Sequence, residues 1–198
     1  MKPFLHLFAI LISCFALGGG IAHAQTAAAA AAPLPGNSVY QFSPVMTDQD
    51  GRHFALADKR GKPVLVSMFY NSCQFVCPML IDTLRDTEAA LNQEQRKNLS
   101  VLLVTFDPAR DDVATLKGIA TKRDLDLTHW TLARTDAASV RKIAAVLGIQ
   151  YRRLPNGDYN HTTALILLDA EGRIAGSTAK LGEVDADFVK LIKEQGQP

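Results

Sequence analysis

Cysteine is scarce in this 198-residue chain. There are three in all, and one of them, Cys14, lies in an apolar N-terminal stretch. A disulfide-dense scaffold is therefore excluded, and Cys73 and Cys77 are the only thiols in the body of the sequence. An excess of one charge sign is lacking too, with 21 Lys and Arg against 20 Asp and Glu. Nothing in that balance points to nucleic acid or an anionic membrane as partner. No internal repeat and no second domain are visible. What is present, 47% hydrophobic and 21% charged residues, suits one globular domain behind an export segment.

Residues 1–24 carry Lys2, an apolar stretch from Phe4 to Ile21, and Ala22-His23-Ala24. A basic start, an apolar middle and an Ala-x-Ala end predict a secretory signal peptide cleaved after Ala24, hence a periplasmic protein. Its removal takes away Lys2 alone and leaves the charges balanced. Two alternatives compete. Leu11-Ile12-Ser13-Cys14 resembles a lipoprotein signal that would lipidate Cys14, although the apolar run continues beyond it. The segment could instead stay as an anchor, but it is at the short end for a span of about 17–25 residues, and Gly18-Gly19-Gly20 weakens it. Residues 25–37, with their alanine tract ended by two prolines, read as a low-complexity linker, and residues 38–198 as the folded domain.

Within that domain, Val39 to Phe54 reads as two short strands about Asp48-Gln49-Asp50-Gly51. The spaced aspartates lack the remaining ligands of a calcium loop and are read as a hairpin turn. Val64 to Tyr70 and Leu99 to Phe106 are unbroken apolar runs that suit strands buried on both faces. Between them Pro78 fits the first turn of a helix, whose apolar face is Leu80, Ile81, Leu84 and Leu91. Asp111 to Arg123 predicts a second helix, Thr128 to Ala133 a strand, and Asp136 to Leu147 a third helix stopped by Gly148. Thr162 to Leu168 and Arg173 to Ser177 form a hairpin through Asp169-Ala170-Glu171-Gly172, and a last helix covers about Val184 to Lys193. The order ββ, βα, βα, βα, ββ, α predicts an α/β sandwich with a mixed central sheet and an N-terminal hairpin.

Cys73 and Cys77 are four residues apart, about one helical turn, so both sulfurs can face one partner. They fall where a strand ends and a helix begins, the usual place for sites in open α/β sheets, and a helix N-terminus favours the thiolate. Thiolates hold soft ions such as Cu(I), and they also close into a disulfide. A structural staple is the plainer reading. A loop of about five residues yields only about 2 kcal/mol of chain-entropy stabilisation, against about 4.7 for a hundred, so the pair is read as functional. His161, in a polar loop before the Thr162–Leu168 run, is alone only a weak ligand candidate. His53 and His129 are read as ordinary, and Met79, beside Leu80 and Ile81, as core.

Cys73-Gln74-Phe75-Val76-Cys77-Pro78 resembles the CxxxCP motif of the Sco/SenC family. These are thioredoxin-fold copper proteins associated with assembling the CuA centre of cytochrome c oxidase. Val104-Thr105-Phe106-Asp107-Pro108-Ala109-Arg110-Asp111 is similar to the family's strand ending in a DPxRD segment. The resemblance also takes in His161, placed 84 residues after Cys77, and the run after it, so it covers most of residues 39–193. It implies a thioredoxin-like fold and copper bound by Cys73, Cys77 and His161. Asp107, Arg110 and Asp111 match the second motif and are read either as shaping the site or a partner surface, or simply as a strand end and helix N-cap region. Family members often have Pro and then an acidic residue after the first cysteine. Gln74 and Phe75 stand there in this chain, which predicts a less acidic, more apolar approach to the site.

Two functions follow. One is a copper metallochaperone that passes Cu(I) or Cu(II) to a respiratory oxidase subunit by ligand exchange and needs no turnover. The other is a thiol–disulfide oxidoreductase reducing cysteines of that subunit or of a cytochrome, with Cys73 attacking and Cys77 resolving in a redox-active pair. The three-residue spacer differs from the thioredoxin CxxC. His161 also stands where thioredoxin-like reductases place a cis-proline, which favours copper. A peroxiredoxin-like activity would need a Pro-x-x-x-Thr-x-x-Cys segment, and none is present.

Overall fold

The alternation of apolar runs and polar turns resolves into nine strands and five helices among the described residues. The structure, a computed structural model, describes residues 32–196. The expected export segment, with Cys14, and residues 25–31 of the alanine tract lie outside them. The strands are β1 (Val45–Asp48), β2 (His53–Ala55), β3 (Val64–Phe69), β4 (Ser100–Thr105), β5 (Trp130–Arg134), β6 (Tyr151–Arg153), β7 (Tyr159–His161), β8 (Leu165–Leu168) and β9 (Ile174–Thr178). The helices are α1 (Val76–Ala89), α2 (Gln93–Lys97), α3 (Val113–Lys122), α4 (Ala137–Val146) and α5 (Ala186–Gln195).

Seven strands form one mixed sheet in the order β2-β1-β5-β4-β3-β8-β9. β3, β4 and β5 are parallel, and β8 runs antiparallel to β3 with Val64 opposite Leu168. Every residue of β3 is buried, as an apolar strand covered on both faces requires. Each of its apolar side chains, all but Ser67, contributes about 1.5–3 kcal/mol on burial. The expected N-terminal hairpin is β1–β2, turned by Gly51 at φ +79°, and the expected late hairpin is β8–β9. The mixed α/β sandwich read from the sequence is the observed fold.

Four helices open on side-chain caps that accept orphan N–H groups. Asn92 serves α2, Asp112 α3, Asp136 α4 and Asp185 α5. Gly148, at φ +71°, stops α4, in the left-handed conformation that glycine adopts without cost. Only α1 lacks an oxygen cap: Phe75 stands at its N-cap with no side-chain hydrogen bond.

The structure corrects several expectations. Val39–Gln41 is a short 3₁₀ turn rather than strand, and Leu91 lies past the end of α1. Met79 is 42% exposed and not core. On α1, Cys77, Leu80, Ile81 and Leu84 take the inward stripe, and position 79 falls outside it. His161 is not in a loop but ends β7, which pairs with β6 in a separate two-stranded sheet. β8 accordingly begins at Leu165, after Thr162-Thr163-Ala164.

Candidate metal and redox site

β3 delivers the chain to the site. After Phe69 the backbone leaves the sheet through Tyr70, Asn71 and Ser72, and Cys73 follows two residues before the N-cap of α1. The Cys73 sulfur supplies what α1 lacks. It accepts the Cys77 N–H at 3.3 Å, and the N–H groups of Phe75 and Val76 also favour its ionised form. Partial burial opposes ionisation. Together with the Cys77 thiol, however, these donors outweigh it and hold the Cys73 pKa below the ordinary thiol value. Positive partial charge at a helix N-terminus acts in the same direction.

Cys77 is a different thiol. It is in the first turn of α1 and only 3% exposed. Burial pushes its pKa well up, and the neighbouring Cys73 adds to the effect. Both cysteines are free thiols. They share a cavity of about 340 Å³ with Tyr70, Asn71, Pro78, Lys122 and Arg123 among its walls. Arg123 is paired with Asp82 at 3.1 Å. Phe75, at 81% exposed, stands at the surface beside the pair.

Two polar side chains of the Asp107–Asp111 segment brace these surroundings. Asp111 is buried, accepts the Thr105 hydroxyl, and accepts the Asn71 N–H at 3.1 Å. It thus ties the loop before Cys73 to the end of β4. Burial raises the Asp111 pKa, although the Thr105 hydroxyl and Asn71 N–H pull the other way. Arg110 pairs with Asp107 and donates through Nη2 to the Gly157 carbonyl at 2.6 Å. That bond fixes the β6–β7 turn against the β4–α3 loop.

His161, at the end of β7, packs its ring 4.9 Å from Phe106 and 6.0 Å, edge-on, from Tyr70, centroid to centroid. Its Nδ1 lies 3.2 Å from the Thr162 carbonyl and 3.2 Å from the Thr163 hydroxyl. A proton on Nδ1 satisfies the carbonyl and leaves the Nε2 lone pair open, without a partner among the described residues. Burial lowers the imidazole pKa despite the Thr162 carbonyl, so the ring is neutral at pH 7, the form that ligates metals.

The three expected ligands are neighbours across Tyr70, not a closed set. Tyr70 walls the cysteine cavity, interacts with the Cys73 thiol, and accepts the Tyr159 N–H at 3.4 Å through its hydroxyl. His161 faces another cavity, of about 410 Å³, with Tyr151, Arg152 and Asn160. Among the described residues no three His, Cys, Asp or Glu side chains stand together as a ready metal site. Tyr70 was not singled out in the sequence, where it reads as the last residue of an apolar strand. The other described histidines stay apart: His53 bonds Thr47 at 3.1 Å, and His129 pairs with Glu88.

A mixed sheet whose central parallel strand delivers a cysteine pair to a helix N-terminus defines a thioredoxin-like α/β protein. The SCO1/SenC family model matches residues 35–194, and the chain belongs to that family. It is 24% identical over 135 residues to a Stutzerimonas stutzeri protein named for copper binding, covering 66% of this chain and 65% of that one. It is 26% identical over 155 residues to the mitochondrial protein SCO2 of Saccharomyces cerevisiae, covering 77% of this chain and 51% of that one. The chain thus spans about half to two-thirds of the length of these curated relatives. Bradyrhizobium japonicum ScoI, solved with copper bound, shares the fold at TM-score 0.63 and 24% identity, over 77% of this chain and 97% of that one. No helix among the described residues is long and apolar enough to cross a membrane.

Proposed function

We propose that this protein is a periplasmic copper metallochaperone that holds copper through Cys73, Cys77 and His161 and passes it to the CuA site of a respiratory cytochrome c oxidase. The observation that carries this reading is the juxtaposition of two thiols one turn apart with an open imidazole nitrogen beyond a single tyrosine. Membership of a family of cytochrome c oxidase assembly proteins supports the destination. The donor set suits the cargo. Thiolates match Cu(I), and an imidazole nitrogen helps accommodate Cu(II). Cys73 is already biased to thiolate, while Cys77 gives up its proton as the metal arrives. Bringing Nε2 of His161 to the same ion requires Tyr70 or the β6–β7 hairpin to shift. Release proceeds by ligand exchange with a receiving subunit that replaces these donors one at a time.

The test is a copper titration of the reduced mature protein beside His161→Ala. Losing an outer-shell partner already costs about 10–100-fold in metal affinity, so loss of a ligand should weaken Cu(II) binding at least that much and alter its thiolate-to-copper absorption. Unchanged affinity and spectrum would remove His161 from the site.

The split between the thiols favours a second reading, thiol–disulfide exchange. The Cys73 thiolate attacks a partner disulfide, a mixed disulfide forms, and one partner thiolate leaves. Cys77 then loses its proton and attacks the Cys73 sulfur, which closes a Cys73–Cys77 disulfide and frees the second partner thiol. His161→Ala leaves this exchange rate largely intact, whereas Cys77→Ser abolishes both activities.

A further inference from the structure

A cleft with a strong excess of basic residues lies beside the candidate site. It has a volume of about 420 Å³ and opens between the β4–α3 loop, α4 and the β6–β7 hairpin. Four arginines, Arg110, Arg141, Arg152 and Arg153, are among the residues around its otherwise largely apolar wall, and Asp107 is the one acidic residue there. Asp107 is already paired with Arg110. The side chains of Arg141, Arg152 and Arg153 make no ion pair among the described residues. Tyr151 and Tyr159 supply aromatic surface to the same wall, with Arg141 acting on the Tyr151 phenol and Arg153 and Arg110 on that of Tyr159.

This concentration of charge stands out because the whole chain is nearly neutral, with 21 basic against 20 acidic residues. Unpaired arginines held close together repel one another, and a low-dielectric concave wall focuses their field outward. The arginines come from three separate elements, so the positive surface is spread along the cleft and does not converge on one point. An extended occupant bearing several carboxylates matches that spread better than a single small anion. Guanidinium also binds carboxylate in a fork while stacking on aromatic faces, and aromatic rings enriched beside arginine are typical of interface centres.

We propose that this cleft is a docking surface for an acidic segment of a partner protein. Its position gives the docking a purpose. Tyr151, on the cleft wall, is the register partner of His161 across β6–β7, and Arg152 lines both this cleft and the cavity that holds His161. A partner anchored here is seated next to His161, and the cysteine pair lies beyond Tyr70. The proposal rests on charge and shape, and it stands whether or not the site carries copper.

The test is fluorescence anisotropy of the metal-free protein with a short labelled peptide of Asp and Glu. Saturable binding is expected at low salt, weakening at least about tenfold as ionic strength rises toward 0.2 M or so, because exposed charges are screened over about a Debye length. The double variant Arg141→Glu, Arg152→Glu should lose binding, while Lys193→Glu, on α5, should not. The milder pair Arg141→Gln, Arg152→Gln should lose it in part, and decides the matter if charge reversal prevents folding. Absence of saturable binding at low salt overturns the proposal, as does binding indifferent to both arginine pairs. A single-stranded DNA oligonucleotide bound more tightly than the peptide also overturns it.

Discussion

Among single residues, the contrast between the two thiols has the most direct consequence. Cys73 is partly exposed and acidified by backbone donors, and Cys77 is buried with its pKa pushed up. A thiol alkylating agent should therefore modify Cys73 first, with a pH midpoint below that of an ordinary cysteine, and reach Cys77 only on unfolding. Mass spectrometry of partially modified protein over a pH series checks this, and equal labelling of both would refute the asymmetry. Asp111 makes a second prediction. Its carboxyl is held above the usual range in the folded state, mainly by burial. Between the unfolded and the folded pKa the native protein keeps a proton that the unfolded chain has released, and the stability this provides, complete below the unfolded pKa, is lost as pH rises through the folded pKa. Asp111→Asn should remove that decline, so the difference in urea-unfolding free energy between variant and parent should grow from acid to neutral pH. Asp111→Ala, which strands the Asn71 N–H and the Thr105 hydroxyl, should instead cost about 1–3 kcal/mol.

At the scale of elements, the β6–β7 hairpin is set apart. It shares no ladder with the seven-stranded sheet, and two strands alone are marginal in water. What holds it is aromatic packing, with Phe106 4.8 Å from Tyr151, and the Arg110 bond to the Gly157 carbonyl. Arg110→Ala should loosen it, so amides of residues 151–161 should exchange with deuterium at least about tenfold faster while those of β3 and β4 keep their protection. If copper bridges His161 and the cysteines, loading should slow the same amides in the parent protein. Hydrogen exchange that leaves this hairpin unmoved in both comparisons would show it to be as rigid as the main sheet.

For the whole molecule, the closure of the fold rests on a contact far from the site. Gly172 turns β8 into β9 at φ +79°, and its carbonyl accepts the Val39 N–H at 2.8 Å. A Cβ there would meet the Tyr40 ring at 2.5 Å. Gly172→Ala thus combines a left-handed backbone with a clash against a fully buried ring, and should cost about 2 kcal/mol. Thermal melting should report this as a drop of about 4–8 °C. An unchanged Tm would mean that the N-terminal turn does not need this seat.

Much of that architecture could be read from the chain because β3 and β4 are continuous apolar runs and α3, α4 and α5 open on aspartates that cap them. The β6–β7 hairpin escaped because three-residue strands carry no alternation, and its support comes from Arg110 and Phe106, distant in sequence. α2, five residues long, is too short for a periodic signal. In the candidate site, Cys73 and Cys77 were marked by scarcity and position. His161 was marked by resemblance, since a lone histidine announces nothing. Tyr70 was hidden by its likeness to the strand before it. The capping role of Cys73 was equally invisible, because cysteine is not among the residues whose propensity suggests a helix cap.

That cap couples the state of the site to the shape of the surface around it. The sulfur that would grip a metal or close a disulfide is the same atom that quiets the loose N–H groups at the start of α1. A change in the charge on that sulfur, by metal binding or by disulfide closure, changes the strength of the Cys77 N–H bond it accepts, at the foot of the exposed Phe75. The first turn of α1 would thus carry, in its backbone N–H groups, a readout of the chemical state of the sulfur just before it.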